Sequence, residues 1–551
     1  MAGSVNVDWL TCDIYDCNGI CLDAGDKCLA HAEDEERDAA LEQFAQTGKI
    51  DARGVTISNA LVVKILDNVP CNPDGHALPL EVDFSWATFE GDALFSGATF
   101  QDAGFTKTTF QGDAAFLGVK FQGDAEFGQA TFQGDALFLR ATFEGNASFY
   151  EATFQGAAIF PDVRVHGAAR FGAVRFQGDA GFAGATFQGA AVFAGSTFER
   201  AQQFGPLLAY ESLNLDIVRF AQPVRIEVST IWFCCRWARF PGGVQFRLRW
   251  ASVVLDGTDI PAPSLLTGIS FGASEELVSG EYQIARDWKQ EYAGHVSEQP
   301  RLLSVQRANV AGLGLANVDL TDCRFSGAHN LDKLRLEADV AFRSSLAWVS
   351  WEQRQVIAEE CAWRAGQTRS GRWANPWWHR PDPWMGSRTE PKVLAPGAIA
   401  SLYRALRKSR EDAKDEPGAA DFYYGEMEMR RHAHRRADYG DGGSRGLADR
   451  GVLTAYWLVS GYGLRAWRAL AWFAGITVAF AFAFHLVGFV RAPQPVTYWT
   501  SLLYSFRSTI SLTDNDVTLT AWGQLLQALL RLTGPVLLGL ALLAIRGRIK
   551  R

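Results

Sequence analysis

At 551 residues the chain is too long for a single core, and two to four domains is the expectation. It carries 53 basic against 61 acidic residues, a net charge of −8, which excludes nucleic-acid binding driven by a global positive field. Apolar residues make up 48% and tryptophan occurs 18 times, concentrated in the C-terminal half, a usage seen at membrane interfaces.

The first segment, "MAGSVNVDWLTCDIYD", has neither a basic start nor an apolar run, so no signal peptide is expected and the N-terminal bulk is assigned to the reducing cytosol. Within 1–79, "CDIYDCNGICLDAGDKCLAH" places Cys12, Cys17, Cys28 and His31 at C-x4-C-x10-C-x2-H spacing. Thiolate and imidazole ligands joined by a turn-forming stretch suit a tetrahedral structural Zn2+. So short a segment has little core, and a metal staple would supply folding energy. Two alternatives stay open: Cys21 replacing one ligand, or cysteines that are simply reduced. Cys71, Cys234, Cys235, Cys323 and Cys361 are scattered and read as core or neutral.

From Phe84 to Phe204 phenylalanine recurs alternately five and six residues apart, with Val165 filling the one gap. Neither a helix period of 3.6 nor a strand period of 2 gives that rhythm. A small residue stands two positions earlier in most units (Ala136 before Phe138, Ala141 before Phe143, Ala147 before Phe149, Ala152 before Phe154), and i and i−2 share one side of an extended segment. Each unit therefore sends one ring and one small side chain inward, with Gly-Asp or Gly-Asn at the corners. The predicted fold class is mainly β: a right-handed, quadrilateral β-helix with Phe132, Phe138, Phe143, Phe149 and Phe154 among its stacked core rings. The 5+6 alternation gives about 22 residues per coil, the extra residue widening a corner.

This pattern resembles the pentapeptide-repeat family, whose unit centres on Phe or Leu with Ala two before it. The solenoid is assigned to 80–337. Longer strands are expected in "LNLDIVRFAQPVRIEVSTIWF". A polar insertion, loop or short helix, is placed at about 273–303, and five-residue units return around Val310, Leu315, Leu320, Phe325 and Leu331. Such a surface commonly serves as a binding face, here for an unidentified protein partner. Asp92, Asp113, Asp124 and Asp135 form an acidic stripe, but 12 acidic against 7 basic residues over 84–204 is mild, and a solvated face is the simpler reading.

The stretch 338–450 reads as a helical, Trp-rich linker. It comprises a helix at "RQVIAEECAWRAG", the Trp/Pro run "RWANPWWHRPDPWMG", and two amphipathic helices broken at Pro417. The second ends in Arg430, Arg431, Arg435 and Arg436, facing either its own helix dipole or anionic lipid.

Residues 466–490 and 525–545 are apolar for spanning length. His485 lies near the outer end of the first, and the second carries Arg531. Arg531 either faces a protein or water interior or snorkels from an outer turn. Arginines before the first span and "RGRIKR" after the second place both termini in the cytoplasm, so a multi-pass membrane location is expected. The segment 497–513 is apolar but too short to cross, which leaves a re-entrant half-helix or an interfacial helix.

Two spans around such a segment, with "YWLVSGYGLRAWRALAWF" at the first, resemble the two-transmembrane pore module of potassium-type channels. "STISLTDND" aligns with their filter: Ser508, Thr509, Ser511 and Asp516 are filter-like, while Thr513 and Asn515 stand where two glycines belong. Those glycines let carbonyls face a bare cation, so potassium selectivity does not transfer. Stretches such as "KSREDAKDEPGAADFYYGEMEMRRH" are further similar to actinobacterial membrane proteins with pentapeptide repeats, which implies the architecture and a place in a bacterial inner membrane in contact with lipid, while the channel-like reading expects a homo-oligomer through the membrane domain. No P-loop, dinucleotide fingerprint or nucleophile elbow is present, and no enzymatic activity is expected. Two functions stay open: a channel-like module under a cytosolic interaction domain, or a scaffold held at the membrane by inert spans.

Overall fold

The computed structural model describes residues 7–23, 25–69, 80–269, 299–337, 339–345, 353–367, 393–433, 443–490, 497–510 and 518–549. They fall into two units, Met1–Arg343 and Ser344–Arg551. The first is a β-solenoid of about ten turns.

Its strands are mostly two residues long, because each face of the coil admits only an inward pair before the chain must turn. Ala125, Thr131, Ala136 and Thr142 open four successive strands, and they pair in parallel with Ala147, Thr153, Ala158 and Arg164, each 22 residues on. The expected rings point inward, with Phe132, Phe138, Phe143, Phe149 and Phe154 at most 1% exposed. Along the axis they stack face to face: Phe127 on Phe149 at 4.9 Å and 3°, Phe132 on Phe154 at 4.6 Å and 5°, Phe138 on Phe160 at 4.8 Å and 4°. Across the coil, rings on opposite faces meet edge-on, Phe127 to Phe138 at 5.5 Å and 90°, while rings on adjacent faces are tilted or edge-on, Phe127 to Phe132 at 38° and Phe132 to Phe138 at 78°. Four such faces in each turn define a four-sided tube.

The two spacings correspond to two corners. In the six-residue spacing Phe132–Phe138 the corner is Gly134-Asp135, and a Cβ on Gly134 would lie 2.5 Å from the Gly112 carbonyl oxygen one coil below, so only glycine lets these corners stack. In five-residue spacings the turn uses one left-handed residue, such as Gln129 and Glu151 at φ 58°. The sixth residue thus does widen a corner. Asp92, Asp113 and Asp135 accept the backbone N–H of Asp113, Asp135 and Ala157 at 2.8–2.9 Å, and Asp124 accepts that of Asn146. The expected stripe is therefore two ladders, Asp92, Asp113 and Asp135 at one corner and Asp124 with Asn146 at another, each tying successive coils together.

The ladder begins with Lys49–Asp51 on Leu80–Asp83 and Thr56–Ile57 on Thr88–Phe89. Helices α1 (Asp34–Thr47) and α2 (Asn59–Asp67) flank this first coil. Longer strands follow the rings, Gln203–Asn214 and Val224–Cys234, and the spacing shortens to 20 residues, as in Val224 against Val244. Asp259 then pairs with Asn309, so the coil resumes after the insertion, whose residues 273–298 lie outside the described residues. Arg301–Ser304 is a strand paired to Ser252–Val254. Val310, Leu315, Leu320, Phe325 and Leu331 are all buried, as the return of the five-residue units requires. Replacing one stacked ring by a smaller apolar group (Phe138→Leu) is expected to lower stability by about 1–1.5 kcal/mol in equilibrium denaturation, through lost contacts on both neighbouring rings.

The second unit is helical: α3 (Ala358–Gln367), α4 (Pro396–Asp412), α5 (Glu416–Ala433), α6 (Gly443–Ser460), α7 (Ala466–Ala483), α8 (Tyr498–Thr509) and α9 (Ala521–Ile549). The chain breaks before Pro417 rather than at it. Proline suits the first turn of α5, where its missing N–H has no helical partner to lose. The Trp/Pro run, Arg435 and Arg436 lie outside the described residues. The segments 466–488 and 521–543 are long and apolar enough to cross a membrane. The first ends in a π-helical turn, Phe484–Gly488, which contains His485.

Candidate functional site

In the N-terminal segment the backbone folds into two short antiparallel bridges, Thr11 to Ile20 and Cys21 to Cys28. They bring Cys12, Cys17, Cys28 and His31 together with their ligand atoms all within 4.8 Å of one another. Cys12 Sγ lies 3.5 Å and Cys28 Sγ 3.4 Å from His31 Nδ1, and Cys17 Sγ is 3.8 Å from Cys28 Sγ. Tetrahedral bonds of about 2.3 Å to sulfur and about 2.0 Å to nitrogen give ligand–ligand edges of about 3.8 Å and 3.5 Å. The set therefore could hold a metal ion with little rearrangement. Gly19 closes the knuckle: its N–H points at Cys17 Sγ at 3.4 Å, and a Cβ there would come within 2.9 Å of Cys28 Cβ. Cys21 is outside the cluster.

The thiols are unequal. Burial pushes Cys28 up to about 12, with the Cys17 and Cys12 charges adding to it against hydrogen bonds from the His31 and Ala30 backbone. At Cys12 burial is outweighed by backbone hydrogen bonds at Ile14 and Cys28 and by the His31 and Cys28 side chains, which bring it down to about 7. Three thiolates this close repel one another, and a bound cation reverses that balance.

In the second unit α8 packs against both apolar helices. Ser505 Oγ donates to the Thr477 carbonyl of α7 at 2.8 Å, and Gln527 of α9 donates to the Tyr504 hydroxyl at 2.7 Å. A Cβ on Gly534 would stand 2.2 Å from the Thr509 carbonyl oxygen, so glycine permits the close approach of α9. Ser501, Tyr504, Ser505, Ser508 and Thr509 are all buried on this seam. Of the filter-like residues, Ser508 and Thr509 end α8, whereas Ser511, Thr513, Asn515 and Asp516 lie outside the described residues.

"SGYG" (460–463) has a different role from a filter. Gly461, Tyr462 and Gly463 are all left-handed, at φ 55°, 60° and 74°, turning the chain from α6 into α7. This buries Tyr462, whose hydroxyl donates to Glu428 of α5 at 3.1 Å. Glu428 also accepts from Arg431 at 2.9 Å and Arg364 at 3.5 Å. Burial opposes its ionisation, but the His432 hydrogen bond and Arg431, Arg364 and Arg354 hold its carboxyl well below the usual range. A second buried group joins Arg354 to Glu360 at 2.5 Å, with Tyr403 donating to the same carboxylate and Arg364 reaching it at 2.7 Å.

Arg430 and Arg431, read as facing either a dipole or lipid, are bound to Glu426 and Glu428. Sequence reasoning missed Glu360, Glu428 and Tyr462. The i,i+3 and i,i+4 placement of Glu428 before Arg431 and His432, and of Glu360 four residues before Arg364, is the local signal for two of them.

No curated protein matches the chain, and no solved structure matches it. Residues 84–131, 116–164 and 127–175 match the family Pentapeptide repeats (9 copies). The match falls on the coils whose stacked rings and glycine corners are described above, and the β-solenoid of this chain is a pentapeptide-repeat solenoid.

Proposed function

We propose that the chain is a non-enzymatic integral membrane protein of a bacterial inner membrane, in which a cytoplasmic pentapeptide-repeat interaction domain is coupled to a channel-like, two-span module. The observation that carries this reading is the position of α8, which is too short to span and packs by hydroxyls and a glycine contact between the two apolar helices. An interfacial helix lying flat would keep its polar face toward water, whereas here the serines and Thr509 face the spans. Both termini are cytoplasmic, the module assembles as a homo-oligomer in lipid, and the solenoid docks a protein partner. Cys12, Cys17, Cys28 and His31 hold one structural Zn2+ that staples the cap.

Thr513 and Asn515, in place of the filter glycines, favour a second reading in which the spans anchor a scaffold and conduct nothing. Bilayer conductance separates the two. The pore reading expects unitary currents from the purified oligomer that Arg531→Leu and Thr513→Ala alter. A monodisperse oligomer that is silent at all voltages supports the anchor.

A further inference from the structure

The seam between α8 and α9 carries two polar groups that the helices themselves do not satisfy. Ser508 Oγ is buried without a hydrogen-bond partner, and so is Arg531 Nε. The other hydroxyls of that face are committed: Ser501 to the Thr497 carbonyl, Ser505 to the Thr477 carbonyl, and Thr509 to the Ser505 carbonyl.

The two orphans stand at the same level of the seam. Gln527, Arg531 and Gly534 follow at i, i+4 and i+7 and so share one face of α9. Gln527 touches Tyr504 and Gly534 touches Thr509, so α8 and α9 run alongside each other in the same direction. Arg531 lies between those contacts in the sequence of α9, which sets it at the level of the Ser505–Ser508 turn of α8. Pro535 also supplies no N–H to the Arg531 carbonyl, which loosens the helix at the same point.

Both orphan groups are hydrogen-bond donors, and a guanidinium has no acceptor at all. Among the described residues of these helices the charge has one sign: Asp and Glu are absent from 466–490, 497–510 and 518–543, while Arg468, Arg507 and Arg531 are present. The C-terminus of α8 contributes roughly half a negative charge, less than the full positive charge of Arg531. A water would satisfy one donor, whereas an anion accepts from both and also pairs with the half-exposed guanidinium, of which Nε is the buried part. We propose that this seam binds one small monovalent anion of the halide or nitrate class, held between Ser508 Oγ–H and the Arg531 guanidinium. The site does not require the module to conduct, so it stands apart from the pore reading.

The test is thermal unfolding of the full chain in lipid nanodiscs, in sodium bromide against sodium gluconate at equal ionic strength. Bromide is expected to raise the midpoint by about 2–4 °C in a saturable way. The rise should vanish in Arg531→Gln, shrink in Ser508→Ala and persist in Arg507→Gln, whose side chain is on the exposed face. Equal midpoints in the two salts, meaning water only, or an undiminished rise in Arg531→Gln, would overturn the proposal. Should Arg531→Gln fail to fold, chloride line broadening by NMR decides on Ser508→Ala. Weakened excess broadening supports the site, and broadening equal to wild type overturns it.

Discussion

Treatment with a strong chelator, or the Cys28→Ser substitution, is expected to unfold residues 7–57 while the ring-stacked coils from Phe84 onward stay intact. The apolar core of this segment is small, with Cys28, Leu29, Ala32, Leu41 and Phe44 as its buried centre, and segments of this size rarely fold without a staple. Structural zinc sites supply apparent binding energies of about 10–16 kcal/mol, far more than any single apolar contact here. The loop also covers the first coil: Ile20 N–H donates to the Arg53 carbonyl at 2.8 Å, and a Cβ on Gly54 would lie 2.3 Å from the Asn18 carbonyl oxygen. Its loss bares the end of a parallel ladder, a template for pairing with other chains. Metal analysis should find about one equivalent per chain, lost in Cys28→Ser, and limited proteolysis should then cut before residue 57 but leave the coils whole. Retention of a full equivalent in Cys28→Ser would remove this residue from the ligand set. Binding should weaken on acidification, because thiols and His31 must give up protons to ligate.

The second large effect is expected at Glu428. Glu428→Gln leaves Arg431 and Arg364 facing a neutral amide inside the helical unit, and breaking a buried pair on one side costs about 3–5 kcal/mol. Glu411→Gln is the control. Its carboxylate is 53% exposed and pairs with Arg407 at 3.5 Å, so a change within about 0.5 kcal/mol is expected. The pH dependence has a definite sign. The folded carboxyl of Glu428 titrates below its unfolded value of about 4.3, so its contribution is fully present above that pH. It is lost as pH falls through the lower folded value. Wild type should therefore lose stability faster than Glu428→Gln below about pH 4, as read by denaturation midpoints across pH. Parallel acid limbs would place Glu428 outside the stabilising network. Because Tyr462 reaches the same carboxylate from the turn before α7, the substitution also loosens the entry to the first apolar helix.

The solenoid was largely legible because its period is written in residue types. Ring, small residue and Gly-Asp corner each recur with the coil, and the stacking follows from that repeat alone. The Cys/His set was legible for a similar reason, since ligand chemistry is confined to few residue types. What could not be read was contact between elements distant in sequence. Nothing local marks Glu428 as buried and Glu411 as exposed, since both lie on amphipathic helices rich in charge. "SGYG" pointed to pore-module ancestry, yet its glycines serve a left-handed turn that aims Tyr462 at a helix 34 residues earlier. Likewise the acidic stripe suggested a surface property, whereas the register of the coils turns each carboxylate toward a backbone N–H one coil away. The start of the ladder at Lys49 was hidden because Lys49–Asp51 and Thr56–Ile57 carry no phenylalanine.

The membrane reading rests on where α8 sits, and thiol labelling from the outer face tests that directly. Every native cysteine precedes residue 362, on the side assigned to the cytoplasm, so a membrane-impermeant maleimide reports only on introduced thiols. With α8 seated between the two spans, Ser505→Cys in intact cells should remain unlabelled under conditions that label Thr497→Cys to completion. Equal labelling at both positions would mean that α8 lies open to water, and the channel-like module would have to be abandoned.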